Sequence, residues 1–409
     1  MTSIVIIGSA LSGNKGAAAM LESAIDSLGS RLPDAKFTLL SMYPEHDAAL
    51  NTYPNLEIVP ADPIRLGVAI NSLALLHRLL PPLRGAIRRR SRAIDAIANA
   101  DVLLDQGGIT FTDGREKFLL YNVASILPAL NTKTPVFKCA QAVGPFRNPV
   151  NRWAAKTFLP KMHTVVTRGA ITQRYADGLG LTNTFAGADY AFSLELGGHE
   201  REALDGRVDL AALAGDRRLV GISPSVVLEK KVLAKGGDYV GMMAGFARRL
   251  IDAGYDVLVL PHSARSGTEK THNNDLPLCR TIVERIGRDE HVHFPAEELS
   301  SQELRYLIGL CSFFVTSRFH AMISSLSMGV PTLVIGWSHK YEEVLEMFGL
   351  QEWAFGSDQA TDAYVWDRFE ALVAAEPEVR ARLAEHLGEV KATSLHQADL
   401  IAELVRSGR

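Results

Sequence analysis

The residues best suited to chemistry in this chain of 409 residues lie in one short stretch, Ser317-Arg318-Phe319-His320-Ala321. The apolar run Phe313–Thr316 before it reads as a strand. The stretch after it reads as a helix reaching about Met328, and Gly329-Val330-Pro331 ends that helix and starts the next strand. Arg318 and His320 therefore fall where a strand ends and a helix begins. A guanidinium there can grip a phosphate or carboxylate with two parallel hydrogen bonds, and the helix N-terminus adds to that preference. An imidazole at the same place can hydrogen-bond an anion or exchange a proton near neutral pH. His262 follows the apolar stretch 257–260, Asp275 lies in the polar loop beyond it, and Lys340 comes after Trp337-Ser338-His339. These are further strand-end candidates. His291 and His293 share one face of a short strand, as a metal pair would. No third ligand accompanies them, so they read as surface residues and no metal is expected.

The N-terminal half offers a second set. Gly8 to Gly16 (GSALSGNKG) follow an apolar strand and precede a helix, a position that favours an anion. Gly13 is followed by Asn14, and Lys15 by Gly16, so the Gly-Lys-Ser/Thr of an ATPase loop is missing. The glycine spacing is also wrong for a dinucleotide fingerprint. Either this turn binds an anion, or it is a tight turn in backbone contact with a neighbouring domain. Asp105-Gln106-Gly107-Gly108 ends another strand, with Asp113 close behind, and Gln141-Ala142-Val143-Gly144-Pro145 does the same after its own. Arg168 and Asp189 stand at two more strand ends. In parallel sheets, ligands bind outside the carboxyl ends of strands.

Positioning these residues takes two α/β domains. Apolar, β-branched runs at 4–7, 37–40, 57–59, 101–105, 136–140 and 164–167 alternate with helical stretches, as in a doubly wound parallel sheet. A second series follows at 219–222, 256–260, 291–294, Phe313–Thr316 and 332–335, with helices at about 238–253 and 301–311. Residues 195–217 break the rhythm and read as a linker. The expected organisation is an N-terminal α/β domain over 1–195, a second over 216–367 and a helical segment over 368–409. Two Rossmann-like domains facing a cleft is the architecture of GT-B-type transferases.

Composition narrows the class. With 47% hydrophobic and 22% charged residues the chain can bury a large core. A formal charge of −3 gives no basic field and argues against nucleic acid as the main partner. Cys139, Cys279 and Cys311 show no CxxC spacing, so neither a disulfide framework nor a zinc site is expected. The four-residue apolar run after Ser3 ends at Gly8 and is a strand, not a signal peptide. These features fit a cytoplasmic protein. Residues 68–83 are apolar but carry Asn71, His77 and Arg78, too short and polar to span a bilayer. Arginines 84, 88, 89, 90 and 92 follow. The stretch 68–92 is either a solvated helix face beside a core helix or a peripheral contact with the inner face of a membrane.

Taken in order, Gly13-Asn14-Lys15-Gly16, Gln141-Ala142-Val143-Gly144-Pro145, Arg168, Ala188-Asp189, Ser317-Arg318-Phe319-His320-Ala321 with Gly329-Val330-Pro331, and Lys340 resemble the polysaccharide pyruvyl transferase family. The resemblance implies transfer of a pyruvyl group from phosphoenolpyruvate to two sugar hydroxyls as a cyclic ketal, with no further cofactor. It implies donor binding by Arg318, Arg168, Lys340, Gly13 and Asn14. Acid–base work would fall to His320, then His262, and acceptor binding to Asp105, Asp189 and Gln141. The acceptor would be a sugar or lipid-linked oligosaccharide of a cell-surface polysaccharide. Two competing readings are a GT-B glycosyltransferase using a nucleotide-sugar and a non-catalytic sugar- or anion-binding protein.

Overall fold

The computed structural model describes residues 2–265, 273–287, 289–336 and 340–408. The chain divides into two compact units: Met1–Ser12, Ala17–Ser193 and Lys391–Arg409 form the first, Gly13–Gly16 and Leu194–Val390 the second.

In the first unit, β1 (Ser3–Ile7), β2 (Lys36–Ser41), β3 (Leu56–Pro60), β4 (Val102–Asp105), β5 (Ile109–Thr112), β6 (Val136–Gly144), β7 (Thr164–Arg168) and β8 (Thr184–Gly187) form one parallel sheet. Its order is β3-β2-β1-β4-β6-β7-β8, with β5 paired to the end of β6. The strands are apolar on both faces because helices cover both. Val5, Ile7, Leu103, Phe111, Val136 and Val165 meet Ile94, Ile97 and Ile126 in one core. β5, between Gly107-Gly108 and Asp113, is a strand absent from the series read in the sequence.

In the second unit, β9 (Leu219–Ser223), β10 (Asp256–Val259), β11 (Val292–His293), β12 (Phe313–Thr316), β13 (Thr332–Gly336) and β14 (Ala354–Gly356) are also parallel, in the order β11-β10-β9-β12-β13-β14. Counted within the unit this is 3-2-1-4-5-6, the dinucleotide-fold order, which reverses direction between its first and fourth strands. The crevice of such a sheet opens outside the carboxyl ends of β9 and β12, where Ser223 and Arg318 stand. The helix Ser301–Gly309 that leads to β12 starts with a reciprocal cap between Ser300 and Glu303.

Two boundaries differ from the sequence reading. Residues 195–217 are no free linker: Leu204 and Leu213, on helices Glu200–Leu204 and Leu210–Leu213, enter the second core beside Leu219 and Leu307. The C-terminal segment is not a separate piece either. It forms helices Asp362–Ala374 and Glu376–Ser407, and residues from Lys391 on belong to the first unit. There Gln397 receives the N–H of Ala140 (2.8 Å) and donates to the carbonyl of Ala188 (2.9 Å), while Ser394 donates to the carbonyl of Asp189 (2.8 Å). All three cysteines are free and buried.

Candidate active site

The second unit gathers six of the ten expected residues: Gly13, Asn14, His262, Arg318, His320 and Lys340. Helix Phe319–Ser327 packs between strands, and every one of its residues except His320 is buried. Arg318 caps that helix, with its N–H donated to Thr316 Oγ1 (2.9 Å) and Thr316 in turn donating to the carbonyl of Ser223 (3.1 Å). The guanidinium is 14% exposed and pairs with Asp275. It also donates to Asn273 Oδ1 (2.9 Å). Its buried Nε donates to nothing among the described residues. Asp275 is fully buried and accepts the N–H groups of Val226 and Ser263, both at 3.1 Å, so three chain segments aim Arg318. Burial pushes the Asp275 carboxyl above its usual range, and the Arg318 charge opposes that shift.

Why Gly13–Gly16 joins this unit follows from its contacts. Gly13 and Asn14 pair antiparallel with Ala264 and Ser263, and the N–H of Lys15 reaches the carbonyl of His262 (3.3 Å). Lys15 is buried and bound to Glu298 (2.7 Å). Gly16 lies against the His320 ring: a methyl group at its Cα would sit 2.0 Å from Cγ and 2.3 Å from Cβ of His320. The turn is thus the floor under the imidazole. His262 is buried, and its pKa is held well below the usual histidine range, first by burial and then by the charges of His320, Arg318 and Arg305. It is a neutral imidazole at physiological pH. Lys340 is buried with its ammonium 4.7 Å from the Phe319 ring centre and 5.1 Å from that of Tyr341. Tyr341 donates to the carbonyl of Ser317 (3.0 Å), fixing the segment from the other side. Trp337, Ser338 and His339 lie outside the described residues.

The other four expected residues sit together in the first unit, and each has an internal partner. Asp105 forms a buried ion pair with Lys138 and accepts the N–H of Gly107 (2.9 Å). Gln141 donates to the carbonyl of Asp105 (2.7 Å) and accepts from Thr110 (2.5 Å). Arg168 is bound to Asp189 (2.6 Å), the two side chains 2% and 0% exposed. Asp189 also accepts the N–H of Ala191 (2.9 Å). Gly8 has φ +86°, and a methyl group on it would fall 2.7 Å from the Gly107 nitrogen, so two strand-end loops touch backbone to backbone. Asp113 accepts from Arg147, Asn148 and Asn151 and shapes the loop after β6. His291 and His293 gather about one carboxylate, that of Asp256, at 2.7 and 3.9 Å, and are half-buried rather than surface groups.

Sequence reasoning missed Lys138, Lys15 and Arg305. Lys138 carried a signal: a lysine inside the apolar run Val136-Phe137-Lys138-Cys139-Ala140 must find a buried carboxylate. Arg305, which donates to the carbonyl of Leu194 (2.6 Å), is buried on the helix Ser301–Gly309, where nothing in the local sequence singles it out.

Comparison with known proteins places this geometry. The chain is similar to the amylovoran biosynthesis protein AmsJ of Erwinia amylovora, 23% identical over 93% of this chain and 94% of that one. Among solved structures it resembles the UDP-GlcNAc 2-epimerase of Neisseria meningitidis bound to UDP-GlcNAc, with a TM-score of 0.63, 11% identity and complete coverage of both chains. UGT71G1 of Medicago truncatula complexed with UDP-glucose gives a TM-score of 0.58, 11% identity and coverage of 99% and 98%. These likenesses establish the two-Rossmann, GT-B-like fold and nothing about ligands. Residues 14–339 match the sequence profile of polysaccharide pyruvyl transferases, and the chain, a transferase, belongs to that family.

Proposed function

We propose that the protein transfers the pyruvyl group of phosphoenolpyruvate to two hydroxyls of a sugar in a cell-surface polysaccharide or its precursor, closing a cyclic ketal and releasing phosphate. The observation that carries the reading is the exposure pattern of helix Phe319–Ser327, where His320 alone is not buried and Arg318 stands at the cap, at the reversal point of the sheet. Arg318, prealigned by Asp275, takes one anionic group of the donor through Nε and its remaining N–H groups. Asn14 and Lys340 are the further donor contacts within this unit. The charge is met by a guanidinium and a helix N-terminus, and the reading calls for no metal.

In the reaction one proton goes to the methylene carbon of the donor and the oxygen of the first hydroxyl bonds to the neighbouring carbon. The second hydroxyl then displaces phosphate at that same carbon. The two hydroxyl protons balance the one gained by the new methyl group and the one leaving with phosphate. His320, half-buried, is the group that passes a proton to or from the reacting atoms. His262, held neutral, orients the site and is the second acid–base candidate. In the first unit Asp105, Asp189, Gln141 and Arg168 act by fixing the loops after β4, β6 and β8, which carry the acceptor side.

Donor choice tests the reading. Phosphate release from phosphoenolpyruvate with a sugar acceptor is compared with nucleotide release from sugar nucleotides. Release of nucleotide alone would refute it. His320→Ala should lower kcat by at least ~10²-fold, and Arg318→Ala should raise the KM for phosphoenolpyruvate much more than that for the acceptor.

A further inference from the structure

We propose that the first unit docks on an anionic lipid bilayer through the surface built by residues 64–92. The chain leaves the carboxyl end of β3 as a helical turn (Arg65–Ile70), then forms helix Asn71–Leu79, a turn Pro81–Leu83 and helix Arg84–Arg90. One side of these elements supplies the core through Leu66, Ile70, Ala74 and Ile87. The other presents large apolar side chains to solvent: Val68 is 65% exposed, Leu79 62% and Leu83 49%, with Ile64, Leu75 and Leu76 beside them. Helix Leu119–Ala124 packs against the turn Arg65–Ile70, Asn71 donates to its Ala124 carbonyl (3.0 Å), and its Leu120, 84% exposed, widens the patch. A monomer in water rarely exposes so many contiguous large apolar groups.

Charge selects the occupant. Residues 64–92 hold seven arginines and no aspartate or glutamate, in a chain whose formal charge is −3. Arg88 pairs with Asp95 and Arg92 with Glu57. Arg89 and Arg90 have no acidic partner among the described residues. An apolar face rimmed by arginines matches the acyl boundary and anionic headgroups of a bilayer. A second copy fits worse, because an isologous contact sets the same arginines against one another. Docking stands apart from the pyruvyl-transfer reading; joined to it, it selects a lipid-linked acceptor over a free sugar.

Co-sedimentation of the full chain with vesicles tests the proposal. Binding is expected to phosphatidylglycerol-containing vesicles, not to phosphatidylcholine vesicles, and should weaken in high salt. Removing two charges with Arg89→Gln/Arg90→Gln should weaken binding about 30-fold, at about 1 kcal/mol per arginine. Leu76→Ser/Leu79→Ser should weaken it at least about tenfold. Circular dichroism and phosphate release with a soluble acceptor, both unchanged, would show that the variants are folded. Absence of binding to either vesicle, or wild-type binding by both variants, overturns the proposal. So does a dimer in sedimentation equilibrium that Leu76→Ser/Leu79→Ser separates, since the face would then belong to a second copy.

Discussion

Gly16→Ala separates a positioning role of the N-terminal turn from a purely local one. Gly16 is the second residue of helix Lys15–Arg31, and replacing glycine by alanine inside a helix ordinarily stabilises it by up to about 1 kcal/mol. Here the new methyl carbon would lie 2.0 Å from Cγ, 2.1 Å from Nδ1 and 2.3 Å from Cβ of His320. Carbon atoms in contact sit about 3.5–4.0 Å apart, so one partner must retreat by roughly 1.5 Å. The contact includes Cβ, the root of the side chain, so rotating the ring away does not relieve it, and the start of the helix or the backbone at His320 has to move. Overpacking of this kind costs about 1–3 kcal/mol, which outweighs the gain in helix propensity. A displacement of about 1 Å at a reacting group lowers the rate about 10²-fold. Gly16→Ala should therefore be less stable than wild type in urea melts, with kcat reduced about 10²-fold and the KM for phosphoenolpyruvate changed far less. In a His320→Gly background, where both the ring and Cβ are gone, the same substitution should be neutral or stabilising. A variant that is more stable than wild type and keeps full kcat would refute the placement of His320 on Gly16.

Three further outcomes follow from buried groups. His262 has its folded-state pKa lowered, so the unfolded chain binds the extra proton and stability is complete above about pH 6.5 and lost as pH falls. Acidification from pH 7.5 to 5.5 should destabilise the wild type more than His262→Gln, read as the difference between denaturant midpoints of the two proteins at both pH values. Lys138→Met leaves Asp105 charged and buried without its partner and should cost about 3–5 kcal/mol; Lys138→Met/Asp105→Asn should recover part of that in the same melts. Gln397→Ala strips partners from the Ala140 N–H and the Ala188 carbonyl and should cost about 1–3 kcal/mol, with hydrogen exchange at Ala140 accelerated.

Much of the fold was legible because parallel strands buried on both faces leave uninterrupted apolar runs. The runs at 4–7, 37–40, 164–167 and 219–222 lie inside β1, β2, β7 and β9, each strand one residue longer at one or both ends. What was not legible depended on partners distant in sequence. Residues 195–217 lack strand periodicity, yet Leu204 and Leu213 each anchor a short, largely exposed helix in the second core. The C-terminal segment reads as helical and charge-rich, and only its Ser394 and Gln397 betray that one stretch of it binds the middle of β6 at Ala140 and the residues just after β8. The turn 13–16 follows β1 directly, and nothing local indicates that it pairs with residues 263–264.

The same limit decides which strand-end residues can act on a ligand. Asp105, Arg168 and Asp189 look in the sequence like Arg318 and His320: polar groups just beyond apolar strands. The difference lies in the neighbouring strand. Lys138 on β6 sits beside Asp105 on β4, and Asp189 after β8 sits beside Arg168 on β7, so each of these charges is paired inside the first unit. A buried pair of this kind holds geometry at a high cost of desolvation, and opening it to admit a ligand would leave a charge unpaired. Around Arg318 the balance is different. Asp275 engages part of the guanidinium and Asn273 another part, yet the Arg318 side chain stays 14% exposed against 2% for Arg168, and His320 is the one half-buried residue of an otherwise buried helix. On the proposed reading, donor binding therefore falls to the second unit, while Arg168 holds its strand end against Asp189 in the first.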